Sequence, residues 1–462
     1  NRTVDAQTGY KTRSIIATPV ISSTGSVLGV VEMLNKKSTK SKNPGFLEKD
    51  LETMNAFSTF VSVALQNSHL KEVALYGDVE VEMNKYIAES ERQSFQVPAK
   101  LTLTDQEKET VKSLNCFAPN FKGIGHFKEL FYFFSMWNLL EKFKVKNEQF
   151  FRFIFTMRRQ YTNTSYHNWT HACDVSQYVT YQLLLAKADQ YLNSDELFIM
   201  LTAAICHDAN HEGLNNVYNV KAETPLGILF KDTSVMEMHH ITVAIPIILR
   251  TDINLFGCFD EAESKKMWTL FIRLILATDM AHHFELVKKN QALWDNNEFS
   301  WDEPEHRLLA MQLIIKVADI SNVSRPFEYA DKWCDILNEE FFKQGDLEKS
   351  SGIGLTSPLN DREHPDKPKS QIGFYNFICL PLYSTIARIF PELQVNADSV
   401  KANLEVWKSY AAANEAKKKE EEAKKKEEEE KQKEAEQQNP PDNQTDEKKE
   451  EADTEKKEEE TE

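Results

Sequence analysis

The apolar residues of this chain change their period near residue 40. Ser14–Ile21 and Val27–Leu34 are short runs rich in β-branched residues, with Ser22-Ser-Thr-Gly-Ser26 between them. Such runs around a turn-forming stretch predict two strands. After a Lys/Ser loop from Lys36 to Gly45, apolar positions from Phe46 to about Ile87 fall at helical spacing (Leu51, Met54, Phe57, Val61, Leu65, Leu70), which predicts a helix. A two-stranded ribbon with one helix is too little to form a complete domain. Residues 1–68 therefore read as the C-terminal part of an α/β domain and 69–97 as a connecting helix. Gln96-Val-Pro-Ala-Lys100 marks the next boundary. Beyond it, amphipathic segments recur around 104–115, 126–143, 148–160, 171–192, 195–206, 235–250, 261–277, 304–320 and 326–343. The expectation for 98–410 is a single, mainly α, all-helical domain. Residues 411–462 are Ala/Lys/Glu blocks in which Glu and Lys at i,i+4 suit a solvated helix. Pro440-Pro441 is expected to end that helix, with a disordered remainder.

Charge refines this division. The chain of 462 residues carries a net charge of −17, which argues against nucleic acid as a partner. Residues 415–462 contain 21 acidic residues and 12 lysines, so about half of the excess belongs to the tail. The six cysteines are scattered, none in Cys-x-x-Cys, and read as reduced, buried thiols of a cytoplasmic protein. No apolar run approaches the ~20 residues of a membrane span. The polar opening Asn1–Asp5 predicts no signal peptide, and without an initiator Met the first residue is expected to be a cut. Residues 69–95 fit either a homodimer seam or a surface-packed connector.

The candidate chemistry lies in three stretches of the helical region: Tyr166-His-Asn-Trp-Thr-His171, Cys206-His-Asp-Ala-Asn-His211 and Val317-Ala-Asp-Ile-Ser-Asn322. His167 and His171 are four apart, as are His207 and His211, and on a helix that spacing puts both members of a pair on one face. One such pair more often marks packed core residues. Two pairs, with Asp208 beside His207 and Asp319 inside an apolar run, are harder to explain by packing, because a buried unpaired Asp is costly. Imidazole and carboxylate are ligands for Zn²⁺ and Mg²⁺, and a binuclear site suits phosphoester hydrolysis.

These stretches, with Ser234-Val-Met-Glu-Met-His-His240, Ala277-Thr-Asp-Met-Ala-His-His283, Glu340-Phe-Phe-Lys-Gln-Gly-Asp346 and Ser370-Gln-Ile-Gly-Phe374, resemble the catalytic domain of class I cyclic nucleotide phosphodiesterases. The likeness extends to the kinetoplastid-type enzymes. Thr8–Arg13 and Asn35-Lys36 resemble the end of a GAF domain, a sensory module. The resemblance implies hydrolysis of 3′,5′-cyclic nucleotides to 5′-monophosphates by a hydroxide held between Zn²⁺ and Mg²⁺ (or Mn²⁺). It implies that His171, His207, Asp208 and Asp319 hold zinc, that Asp208 bridges to the second ion, and that His167 is the general acid. His211, Glu237 and Thr278 would orient the ligands and the metal-bound water. Tyr166, Asn322, Leu337, Gln371 and Phe374 would form the substrate pocket. There Gln371 bonds the purine edge, Phe374 and Leu337 sandwich the ring, and Asn322 leans the preference towards cAMP. A dual cAMP/cGMP enzyme and a weakly active cyclic-nucleotide-binding relative are the alternatives. One departure stands out: where the family has His-Asp-x-Asp-His, this chain has Asn210.

Overall fold

A computed structural model describes residues 12–21, 27–36, 45–67, 101–121, 123–231 and 233–438. The turn at 22–26, the boundary at 96–100, the whole connecting segment and the end of the tail lie outside these residues.

The two β-branched runs form strands β1 (Ile15–Ile21) and β2 (Val27–Leu34), paired antiparallel with Ile15 opposite Leu34. Thr18 and Val20 are buried while Ile15 and Ile21 are exposed, the period-2 alternation of a sheet covered on one face. Helix α1 (Glu48–Asn67) provides the cover. Ser58 Oγ donates to the Pro19 carbonyl at 2.8 Å and Ser62 Oγ to that of Ile21 at 2.6 Å.

The helical region runs α2 (Asp105–Val111), α3 (Gly125–Ser135), α4 (Leu139–Lys142), α5 (Asn147–Gln160), α6 (Trp169–Leu185), α7 (Ser194–Cys206), α8 (Asn216–Lys221) and α9 (Pro225–Phe230). It continues with α10 (Val235–Leu249), α11 (Glu261–Leu276), α12 (His283–Asp295), α13 (Pro304–Asp319), α14 (Phe327–Ser350), α15 (Lys367–Phe374), α16 (Leu380–Ile389) and α17 (Gln394–Gln438). The apolar segment expected at 126–143 breaks into α3 and α4, with Asn138 left-handed at φ 51° as the hinge, a conformation that Asn tolerates. Helices α8 and α9 fall where no amphipathic segment was expected, because each is only six residues long. They start on side-chain caps: Asn215 accepts from Tyr218 N–H, and Thr224 from Gly227 N–H. Five cysteines are buried as expected, but Cys258 is exposed.

At the centre, α6, α7 and α13 pack on one another. Every residue of α7 from Glu196 to Cys206 is buried, and a helix that is apolar nearly all round belongs inside. In α13 the run from Leu313 to Ala318 is buried as well. By its contacts the chain divides into two units, Asn1–Leu404 and Glu405–Glu462. The second is, among the described residues, the Lys/Glu-rich stretch of α17. No helix among the described residues is long and apolar enough to cross a membrane.

Candidate active site

The three central helices deliver their ends to one point. His171 stands in the first turn of α6, His207 directly follows α7, and Asp319 is the last residue of α13. Ligand atoms of His171, His207, Asp208 and Asp319 all lie within 4.8 Å of one another. His171 Nε2 is 3.2 Å from Asp319 Oδ1 and 3.4 Å from Asp208 Oδ2. His207 Nε2 is 3.2 Å from Asp208 Oδ2 and 3.3 Å from Asp319 Oδ1.

The expected helical stacking of each histidine pair does not occur. Asn168 caps α6, its Oδ1 accepting the N–H groups of Thr170 and His171, so His167 lies in the bend before the helix. His207 caps the end of α7, and the turn after it passes through Asn210 at φ 62°. Caps thus leave His167 and His211 on the segments between helices, while His171 stays in the first turn of α6 and His207 at the end of α7.

Tautomers can be read from the outer contacts. His207 Nδ1 donates to the Ala204 carbonyl at 2.9 Å, which leaves the Nε2 lone pair facing the carboxylates. Both His207 Nε2 and Asp208 Oδ2 are buried without a hydrogen-bond partner. Burial opposes charge on these groups, but the carboxylates outweigh it and push the His207 imidazole well above its ordinary range. Burial likewise raises the Asp208 carboxyl, and the His207 charge holds it well below the usual carboxylate range. A proton and a metal ion compete for the same lone pair. Two imidazole nitrogens, two carboxylates and orphaned donor atoms among them fit a divalent metal of the zinc type.

Beside this cluster stands a second group, His167, His211 and Glu340. His167 Nδ1 bonds Glu340 Oε1, and Glu340 Oε2 accepts the N–H groups of Tyr166 at 2.7 Å and His167 at 3.1 Å. With both oxygens of Glu340 so engaged, the group reads as a proton-handling pair and not as a metal site. Burial pushes the His167 imidazole down, but the Glu340 carboxylate overrides it and raises the group to about 9. Burial raises Glu340 in turn, and His167 brings it down to about 2. The His167 ring lies 5.7 Å from that of His171 and stacks on His211 at 4.1 Å. His211 Nδ1 accepts from Gly213 N–H at 2.9 Å, and burial, then the His167 charge, hold it well below the ordinary histidine range. It is therefore neutral, with its proton on Nε2.

Glu340 and His240 were given no role on sequence grounds. Glu340 is far from the histidine stretches along the chain, and the signal for it was the motif that it opens. His240 donates from Nδ1 to the Ala209 carbonyl at 2.7 Å and points Nε2 at Asp208 Oδ1, 3.7 Å away. Its neighbour His239 bonds Asn210 Oδ1 through Nε2 at 2.9 Å.

Glu237, half-buried, accepts from Asn216 Nδ2 at 3.0 Å, and burial followed by the Asp279 charge pushes it up to about 7. Thr278 is buried and spends its hydroxyl proton on the Ile275 carbonyl at 2.7 Å, leaving its lone pairs to accept. Tyr166 is buried, its ring 4.4 Å from that of His171, in a cluster with Ala118 and Trp333 against which Leu337 packs. Asn322 occupies the short turn Ser321–Ser324 directly after α13. Gln371 and Phe374 lie half-buried on α15. The following Tyr375 donates from its hydroxyl to the Val323 carbonyl at 3.2 Å, which ties α15 to the Asn322 turn.

A family profile described as 3′5′-cyclic nucleotide phosphodiesterase matches residues 166–400. Among solved structures, the Leishmania protein LmjPDEB1 in complex with IBMX is 30% identical, with a TM-score of 0.62 over 68% of this chain and 99% of that one. The phosphodiesterase domain of Salpingoeca rosetta rhodopsin phosphodiesterase is 28% identical, with a TM-score of 0.65 over 70% of this chain and 99% of that one. A protein named cGMP-specific 3′,5′-cyclic phosphodiesterase from Drosophila mojavensis is 28% identical over 405 residues, which are 87% of this chain and 36% of the relative. The chain thus spans about a third of the length of that relative. The profile covers about half of the chain, with the described site inside it or at its edge, and the chain belongs to the 3′,5′-cyclic nucleotide phosphodiesterase family.

Proposed function

We propose that the chain hydrolyses 3′,5′-cyclic nucleotides to nucleoside 5′-monophosphates and so ends a cyclic nucleotide signal. The observation that carries this reading is the position of the Glu340–His167 pair beside the four-ligand cluster, with 5.7 Å between the His167 and His171 rings. His171, His207, Asp208 and Asp319 would hold Zn²⁺, and Asp208 has a second oxygen to offer Mg²⁺ or Mn²⁺. Bound there, divalent metal supplies Lewis acidity and a more acidic water.

The protein's own part is proton delivery. Hydrolysis exchanges the P–O3′ bond for a bond to water oxygen, and the departing O3′ needs a proton. His167 has its Nδ1 committed to Glu340, so Nε2 carries the proton that can leave. Glu340 holds the ring in that tautomer and stabilises the imidazolium before transfer. His211, neutral and stacked on His167, adds no competing charge.

For the base, Asn322 leans towards cAMP, whereas the Drosophila relatives carry the name cGMP-specific. The proposal is therefore for the class of 3′,5′-cyclic nucleotides, with Gln371 on the purine edge between Phe374 and Leu337. Residues 1–68 are proposed to be the end of a GAF domain, the strands and α1 being compatible with it. The scattered cysteines fit a cytoplasmic setting. A homodimer seam in 69–95 lies outside the described residues. The test is turnover of cAMP and cGMP by the full chain before and after a chelator, with metal content measured in parallel. Turnover that falls with the metal supports the reading, and metal-free protein that still turns over at full rate rejects it.

A further inference from the structure

Lys316 stands one turn before Asp319 in α13 and is 1% exposed. Periodicity alone assigns its position to the core, where an apolar side chain would avoid the cost of burying a charge. Among the described residues no carboxylate lies within ion-pair distance of its ammonium. Instead, Lys316 Nζ donates to the carbonyls of Ala277, Thr278 and Asp279 at 3.1, 3.1 and 3.0 Å. An ammonium has three donors, so all are used. These carbonyls directly follow α11, whose dipole favours a cation at this end, and that of Asp279 also accepts from His282 N–H at 3.3 Å.

The segment so gripped is tied onward. Asp279 Oδ2 accepts from Ser234 Oγ at 2.7 Å, and Ser234 is the residue from which α10 starts, three before Glu237. One buried ammonium therefore joins the helix that carries Asp319 to Thr278 and, through Asp279 and Ser234, to the helix that carries Glu237. We propose that Lys316 is a positioning residue for the metal centre. It holds Asp319, Thr278 and Glu237 in one mutual register, so that the carboxylate of the cluster and the two acceptors beside it serve the same ion. The inference rests on the phosphodiesterase reading for the identity of the metal centre, but not for its test.

The test uses the full chain as wild type, Lys316→Met and Ser234→Ala, with Mn²⁺ alone as the probe and EPR as the readout, in the absence of nucleotide. Loss of a group that orients metal ligands typically weakens metal affinity by about 10–100-fold. Lys316→Met, shown folded by circular dichroism and gel filtration, is expected to bind Mn²⁺ at least tenfold more weakly. Its kcat should recover at high Mn²⁺, with KM within about threefold of wild type. Folded Lys316→Met with wild-type Mn²⁺ affinity overturns the proposal, as does a wild type that binds no Mn²⁺. Should Lys316→Met fail to fold, Ser234→Ala decides. A loss of Mn²⁺ affinity of about threefold or more supports the proposal, and unchanged affinity overturns it. A wild type that hydrolyses no cyclic nucleotide rejects the phosphodiesterase reading while leaving the Mn²⁺ comparison intact.

Discussion

Glu340 grips His167 twice, accepting from its Nδ1 and from its backbone N–H across 173 residues of sequence, and it accepts a third time from the N–H of Tyr166. The pair makes His167 a charged acid at neutral pH, because the carboxylate raises the imidazole to about 9 against the pull of burial. Glu340→Gln removes that charge and lowers the His167 imidazole from about 9, with burial pulling it down against the remaining pull of Asp208 and Asp319. The variant should lose activity at lower pH than wild type, which holds its rate until pH approaches 9. At pH 7.5, kcat should fall about 10²-fold, within the span of general acid catalysis. A pH–kcat profile checks this, and superimposable profiles for the two proteins would show that Glu340 does not set the acid.

His167→Ala removes the proposed acid itself. A loss of about 10²–10⁴ in kcat is expected, with bound metal unchanged by elemental analysis, since His167 stands outside the four-ligand cluster. Zinc loss in step with activity would make His167 a ligand.

Asp208→Ala should remove both metal and turnover. Asp208 sits 3.2 Å from His207 and 3.4 Å from His171, with Oδ2 otherwise unpartnered. A variant with full metal and a near-normal rate contradicts the cluster as assigned.

Asn210→Asp restores the family pattern. Activity is expected between unchanged and about threefold higher, because Asn210 contacts His239 and no member of the cluster. Stability gives a sharper readout. Burial depresses His239 to about 4 in the fold, against about 6.5 unfolded. Wild type therefore has the full benefit of a neutral His239 above pH 6.5 and loses stability as pH falls from there towards 4. At pH 5 the loss is about 2 kcal/mol. A carboxylate at 210 favours the charged imidazole, so Asn210→Asp should lose less Tm than wild type between pH 7.5 and pH 5. An equal or larger loss means the Asn210–His239 contact is energetically silent.

Much of this was legible in the sequence for physical reasons that can be named. The meeting of His171, His207, Asp208 and Asp319 was expected because paired histidines and carboxylates in apolar runs have few uses besides holding a metal, and the resemblance implied which four come together. The strands and the long buried helices were found because burial imposes a period. The placement of His167 and His211 was not, because Asn168 and Asn210 end or begin structure through caps and a left-handed backbone, which histidine spacing does not register. Helices α8 and α9 are too short to show a period. Glu340 and Lys316 act through contacts distant in sequence or through main-chain carbonyls, which the periodicity of apolar positions does not register.

Asn322→Ala tests the base pocket. If the Asn322 amide reads adenine, wild type prefers cAMP by about ten- to a hundredfold in kcat/KM, because guanine leaves a buried group unpaired at about 1–3 kcal/mol. The variant should bring the two nucleotides within a few-fold of each other. Equal constants in wild type, or a preference for cGMP, remove Asn322 as the determinant and leave selection to Gln371.

The most direct measurement is hydrolysis of cAMP and cGMP by the full chain in ¹⁸O-labelled water, with product identity and label followed as divalent metal is removed and restored. The account predicts a nucleoside 5′-monophosphate with one labelled oxygen on phosphorus, formed at a rate that vanishes with the metal and returns with it. A 3′-monophosphate product, or undiminished turnover by metal-free protein, would contradict the assignment of His167 as donor to O3′ and of the His171–His207–Asp208–Asp319 cluster as the metal centre.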